Sequence, residues 1–311
     1  MFDLDRWREI FQRLGKNKLG TALSAFTVSF AILLFTLLFG VGNGLKHTFE
    51  EQFAGDANNS VYIRTGRTTK PYKGLQSGRR IQLRNEDSKF MNENFEDEIQ
   101  FFSPNIERGM QAIYKGEQNN YRVRGVYPDY QPLESAEIQD GRFLTYLDIE
   151  RRSKVIAIGR LVEKDLFGQL SAMGKNINLD GLSYKVVGVF NDPGGDNDER
   201  YIYAPFSTIQ GIYKPNDEID YIGLTFNPEL SVDQALAFSN LLTKQLKEKF
   251  NIDPRDQAAL RVQNYAEGTK NVEQFMSVLN ILILFIGIGT MVAGIICISN
   301  IMVYLVKERT K

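Results

Sequence analysis

The sequence predicts an α+β fold in which two transmembrane helices flank a two-lobed extracytoplasmic domain, a β-α-β lobe with a β-rich lobe inserted into it. Two apolar runs without a charge, residues 19–41 and 279–306, lie near the ends of the 311-residue chain. Basic residues crowd the terminal flank of each run. Between the runs, strand–helix–strand patterns open and close the central region, and a separate group of strand patterns fills its middle.

The first element is residues 1–18, "MFDLDRWREIFQRLGKNK". Phe2, Leu4, Trp7, Ile10, Phe11 and Leu14 fall near helical spacing between charges, which predicts an amphipathic helix lying in the inner interface. Trp7 is its anchor at headgroup level. Residues 19–41 follow as the first span, because roughly 20 apolar residues cross a hydrocarbon core with every backbone group satisfied inside the helix. The run is too long for the apolar region of a secretory signal and lacks a plain small-x-small cleavage site. Arg6, Arg8, Arg13, Lys16 and Lys18 precede it, and Lys307, Arg309 and Lys311 follow the second run. The positive-inside rule then places both ends in the cytoplasm and everything between the spans outside.

Helical patterning continues beyond the first span in "GNGLKHTFEEQF" and precedes the second in "GTKNVEQFMSVL". Residues 42–55 and 265–278 are therefore expected to be stalk helices coupling the outer domain to the membrane. Residues 56–129 form the first part of the β-α-β lobe: "NSVYIRT" as a strand, "NEDSKFMNENFED" as a helix and "EIQFFSP" as a strand, with "ERGMQAIYKG" and "NNYRVRGVYP" as a hairpin. Residues 130–218 form the inserted lobe, where "SKVIAIG", "KNINLDG" and "LSYKVVGVF" read as strands between glycine turns. Residues 219–264 complete the first lobe with the strand "DYIGLTFNP", a helix capped by Ser231, and the strand "QAALRVQN".

Catalysis lacks its parts. The only histidine, His47, sits at the start of the outer stalk, and the only cysteine, Cys297, lies inside the second run. No Cys/His nucleophile, zinc site or Ser-His-Asp triad can be assembled, and no disulfide can staple the outer domain. "GVGNG" follows a membrane run rather than a strand and lacks the Lys-Ser/Thr of a phosphate loop. With 37 basic and 38 acidic residues the chain has no global field to recruit nucleic acid. Residues 63–84 hold seven basic residues and no acid, which suits either an anionic partner or headgroups, or a solvated loop. The acidic "NDPGGDNDER" lacks the ligand spacing of an EF-hand and reads as a hairpin tip. In the second span Gly287, Gly289, Ala293 and Gly294 are small enough for another helix to approach closely.

The order of these segments resembles the MacB/FtsX-like family of ABC transporter permeases over the whole chain. "LGKNKLGTALSAFTVSFAILLF" is similar to that family's first span. "IGRLVEKDLFG…GKNINLDGLSYKVVGVFNDPGG…RYIYAPFSTIQ" is similar to its periplasmic core domain, with Leu-Phe-Gly and Gly-Lys ahead of a strand ending in Val-Val-Gly-Val, then Ile-Tyr-Ala-Pro. "ISNIMVYLVKERTK" resembles the segment that in the family runs on into the cytoplasm and toward further spans, so the chain is expected to be an N-terminal portion. The resemblance implies a bacterial inner-membrane protein with a porter-like lobe in the periplasm, which dimerises with itself or a related permease. It implies an ABC ATPase partner that binds the ATP and magnesium, with no cofactor, metal or catalytic residue in this chain. A periplasmic adaptor or outer-membrane channel is a further partner of such systems. Lys307, Glu308 and Arg309 would lie at the inner face where the ATPase-coupling segment begins, and ATPase motion would pass through the stalks to the outer lobes for efflux or extraction. By the residues alone, a two-span sensor with a periplasmic ligand-binding domain has the same layout, as does a cell-wall hydrolase regulator of the FtsX type.

Overall fold

The first apolar run folds as part of α1, Lys18–Gln52, a helix of 35 residues. The stretch of it long and apolar enough to cross a membrane is Ala25–Leu45. Phe26, Ile32, Leu33 and Leu37 are exposed along it, as expected of side chains that would meet lipid rather than a protein core. This computed structural model describes residues 18–52 and 59–309, so Trp7 and the amphipathic segment expected at residues 1–18 lie outside the described residues except for Lys18. The chain divides into two compact units, Met1–Phe49 with Asn271–Lys311, and Glu50–Lys270.

In the central unit the described elements run β1 Ser60–Thr65, β2 Leu83–Arg84, α2 Asn85–Asn94, β3 Ile99–Tyr114, β4 Glu117–Val126, α3 Tyr130–Leu133, β5 Glu137–Gly141, α4 Tyr146–Glu150, β6 Val155–Gly159 and α5 Arg160–Phe167. They continue as β7 Asn176–Leu179, β8 Leu182–Asn191, β9 Tyr201–Pro205, α6 Phe206–Tyr213, β10 Glu218–Ile219, β11 Tyr221–Phe226, α7 Val232–Lys249 and β12 Leu260–Asn264. The last helix, α8, is Tyr265–Arg309, 45 residues without a break, and contains the apolar stretch Gln274–Ile296. The stalk segment and the second span expected from the sequence are thus one helix.

The main sheet has the order β12-β1-β11-β3-β4-β9-β6-β8-β5, with β7 pairing both β3 and β8. Its pivot is β3, read from the sequence as two strands broken at Pro104 but found as one of 16 residues. Up to Asn105 it pairs with β11, and from Ile106 onward with β4. Pro104 is tolerated because it lies before the β4 ladder begins, so its missing N–H falls where that edge is unpaired.

The pairings β3–β4, β4–β9, β9–β6, β6–β8, β8–β7 and β7–β3 close on themselves. Six strands therefore form a ring, which removes the exposed edges an open insert would carry. Two of the six, the second half of β3 and all of β4, come from residues 106–126. Both of these strands precede residue 130, where the sequence places the lobe boundary. The hairpin at 99–126 has long-range partners on both lobes, which local patterning does not reveal.

Period-two alternation gives the sheet two differently composed faces. Val61 and Ile63, Ile156 and Ile158, and Ile202 and Ala204 enter one apolar core, with Phe238, Leu242 and Leu246 of α7. Their neighbours Tyr62, Ala157, Tyr201 and Tyr203 point into a second cluster with Tyr130, Phe143, Phe190 and Tyr221. Gly188 shows how tightly the strands are covered: a Cβ there would sit 2.1 Å from the carbonyl oxygen of Arg142. That contact supplies the physical reason for the glycine in the Val-Val-Gly-Val strand.

Candidate functional site

The tyrosine-rich face opens into a cleft of about 320 Å3 lined by residues that include Tyr62, Arg124, Tyr130, Glu134, Tyr221 and Tyr265. The strands β1, β4 and β11 deliver Tyr62, Arg124 and Tyr221, α3 and the residue that caps it deliver Tyr130 and Glu134, and α8 begins with Tyr265. Arg124, on β4, is the centre. Its Nε donates to Glu107 Oε2 at 3.0 Å and one Nη donates to the Tyr130 hydroxyl at 2.9 Å. Its guanidinium lies 3.6 Å from the ring centroid of Tyr201. The Glu134 carboxylate is 3.8 Å away and accepts from the Tyr62 hydroxyl at 2.8 Å. The hydroxyls of Tyr130 and Tyr221 share a hydrogen bond of 3.0 Å.

Electrostatics keep this cluster charged and unreactive. Burial opposes the Arg124 charge, but the oxygens of Tyr130, Tyr221, Tyr203 and Glu134 outweigh that cost, so the guanidinium stays ionised. Burial pushes the hydroxyls of Tyr130, Tyr203 and Tyr221 up. It also raises the Asp198 carboxyl, against the opposing field of Arg124. The site has a fixed cation, matched carboxylates and neutral phenols, with no activated nucleophile among them.

The cluster binds parts of the sheet together. Glu107 and Arg124 belong to the ring, while Tyr62 and Tyr221 belong to the strands outside it. Tyr265, the first residue of α8, meets the Tyr62 ring edge-on, with centroids 5.7 Å apart. The start of α8 therefore rests on the same hydrogen-bonded network that joins the two groups of strands.

A family model described as the MacB-like periplasmic core domain matches residues 21–237. The chain belongs to this family. Among curated relatives, the macrolide export ATP-binding/permease protein MacB of Bdellovibrio bacteriovorus is 24% identical over 306 residues, covering 97% of this chain and 46% of the relative. The protein of the same description from Wolinella succinogenes is 23% identical over 308 residues, covering 97% and 45%. The chain thus spans about half the length of the curated relatives it matches. The crystal structure of the periplasmic region of MacB from Actinobacillus actinomycetemcomitans superposes with a TM-score of 0.57 at 19% identity, covering 72% of this chain and 96% of that one. The extracellular domain of the noncanonic ABC-type transporter YknZ from Gram-positive bacteria gives 0.54 at 18% identity, covering 66% and 100%. The fold is the mixed α+β fold of these domains, with two apolar helices at its ends.

In this MacB-like chain the residues singled out for helix packing separate. Gly287 faces α1, where a Cβ would lie 3.2 Å from the Phe35 ring, and Gly294 lines the same groove. A Cβ on Gly289 would meet nothing within 4 Å, and Ala293 is exposed. Seven residues make nearly two helical turns and return to one face, whereas two or six do not. The backbone at Lys307, Glu308 and Arg309 is the end of α8. Reasoning from the sequence missed the arginine–tyrosine cleft. Its signal was the tyrosine placed out of phase in "SVYIRT" and "YIYAP".

Proposed function

We propose that the chain is the permease portion of a MacB-like ABC transporter of a bacterial inner membrane, with the central unit in the periplasm. An ABC ATPase on the cytoplasmic side binds the ATP and magnesium and meets the segment that begins at Lys307, Glu308 and Arg309. The permease works as a homodimer or with a related permease, and a periplasmic adaptor or outer-membrane channel completes the path of efflux or extraction. Its own work is mechanical. Movement of α8 reaches the outer domain through Tyr265, Tyr62, Glu134 and Arg124 and changes the set of the two strand groups around β3. The observation that carries this reading is the packing of Tyr265, at the head of a 45-residue helix, on a buried hydrogen-bonded network. The family match favours it over a two-span sensor.

The test is co-purification of the full-length gene product with the ABC ATPase encoded beside it, followed by ATPase assays in vesicles. Association and an altered ATPase rate are expected. The Tyr265→Ala variant should still associate but lose about tenfold in coupled transport, the size of an allosteric coupling near 1.4 kcal/mol. Failure to associate, with the ATPase rate unchanged, sinks the proposal.

A further inference from the structure

The basic segment singled out in the sequence is an ordered hairpin that the permease reading leaves without a task. Residues 66–81 leave β1 and fold back on themselves: Thr68 N donates to Arg79 O at 2.9 Å and Ile81 N to Gly66 O at 2.9 Å. Tyr72 and Leu75 exchange both backbone bonds around a two-residue turn with φ of 46° at Lys73 and 78° at Gly74, the left-handed pair of a type I′ hairpin. The root is locked by Asp256, which accepts from Thr69 N, Thr69 Oγ1 and Lys70 N. Two cations are spent on the same anchoring, Lys70 on the carbonyl of Arg255 and Arg79 on those of Phe250 and Asn251.

The other three, Arg67, Lys73 and Arg80, are exposed, and Arg67 also donates to the carbonyl of Gly78 at 3.1 Å. Arg67 and Arg80 stand directly opposite each other as a cross-strand pair. Like charges so placed are destabilising. Among the described residues, no carboxylate forms an ion pair with Arg67, Lys70, Lys73, Arg79 or Arg80. Residues 63–84 carry seven basic side chains and no acidic one, leaving 30 basic against 38 acidic elsewhere, so the excess is local.

We propose that this hairpin is a docking arm for an acidic surface of a partner protein. Paired guanidinium forks fit carboxylates bidentately, which a headgroup layer recruited by diffuse charge does not require. Beside them the tip offers Pro71, Tyr72 and a Leu75 that is 37% exposed. Arginine and tyrosine around a small apolar contact are the composition of interface hot spots. The preset turn also means that little conformational entropy is lost on binding. The arm leaves the Thr65 end of β1, which pairs with Leu260 of β12. This inference does not rest on the permease reading.

The test uses the full chain in its own host with the photoreactive p-benzoylphenylalanine in place of Leu75. A protein adduct is expected, with the cross-link mapping by mass spectrometry to an acidic surface. Its yield should fall about tenfold when Arg67→Glu and Arg80→Glu are combined, as for loss of close charge pairs, and recover when the mapped carboxylates are changed to lysine. Lys73→Glu, at the exposed turn, should lower the yield with the melting temperature unchanged and decides the matter if the double variant fails to fold. An adduct with lipid alone or with a second copy alone overturns the proposal. So does a yield indifferent to these charges, or one no higher than with the probe at exposed Leu170.

Discussion

Asp256 shows how a single carboxylate can organise a surface. Fully buried, it accepts from the backbone of Thr69, Lys70, Ala258 and Ala259 and from the Thr69 hydroxyl. Burial alone would raise its pKa, but the hydrogen bonds from Thr69, Lys70 and Ala259 prevail and bring it down to about 2. Since the folded value lies below the ordinary carboxylate value near 3.9, Asp256 stabilises the fold above about pH 4. That contribution is lost as the pH falls through the folded value. Asp256→Asn leaves donors facing an amide and should cost about 2 kcal/mol, lowering the melting temperature by about 4–8 °C for a domain of this size. Thermal melts by circular dichroism check this, and the gap between wild type and variant should narrow from pH 5 to pH 2. The sequence marked the basic residues of the hairpin but not this anchor. Asp256 lies far along the chain from Thr69, and such pairings leave no local pattern.

Helix α7 was legible because its signals are local. Ser231 caps it, accepting from Gln234 N, while Gln234 Oε1 accepts from Ser231 N. Leu242 and Leu246 are buried, whereas Leu241 is exposed. Ser231→Ala should cost about 1 kcal/mol and Ser231→Asp should retain most of the cap. Urea unfolding of the full chain in detergent, read at the midpoint of the outer unit, checks the order of the three. Strand β3 was illegible for the opposite reason. Proline 104 and the glycine at 109 are local break signals, yet β11 and β4, far apart in sequence, hold the two halves as one strand. The hairpin at 66–81 was read as a loop because Lys73-Gly74 is a weaker turn signal than Asn-Gly, and the flanking residues are charged rather than alternating.

At the scale of the whole chain the membrane runs and their flanking charges were readable by composition. The two-lobed centre was readable only as order along the chain, because ring closure depends on which strands meet. One consequence concerns independence of the units. Every residue of the two buried clusters belongs to the segment from Val61 to Leu260. The chain enters this unit at β1 and leaves it from β12, and Val61 pairs with Asn264, so both connections arise side by side. Removing both apolar helices should therefore neither open the core nor strain a loop. Residues 50–270 expressed alone are expected to be soluble and to melt in one cooperative step, within a few degrees of the outer-unit transition of the full chain. Tyr265 is retained in this fragment, so its packing on Tyr62 is tested as well. A fragment that aggregates, or that lacks near-ultraviolet dichroism from its buried tyrosines, would show that the outer fold depends on the membrane helices, and transmission through Tyr265 would then have to be sought in a larger shared core.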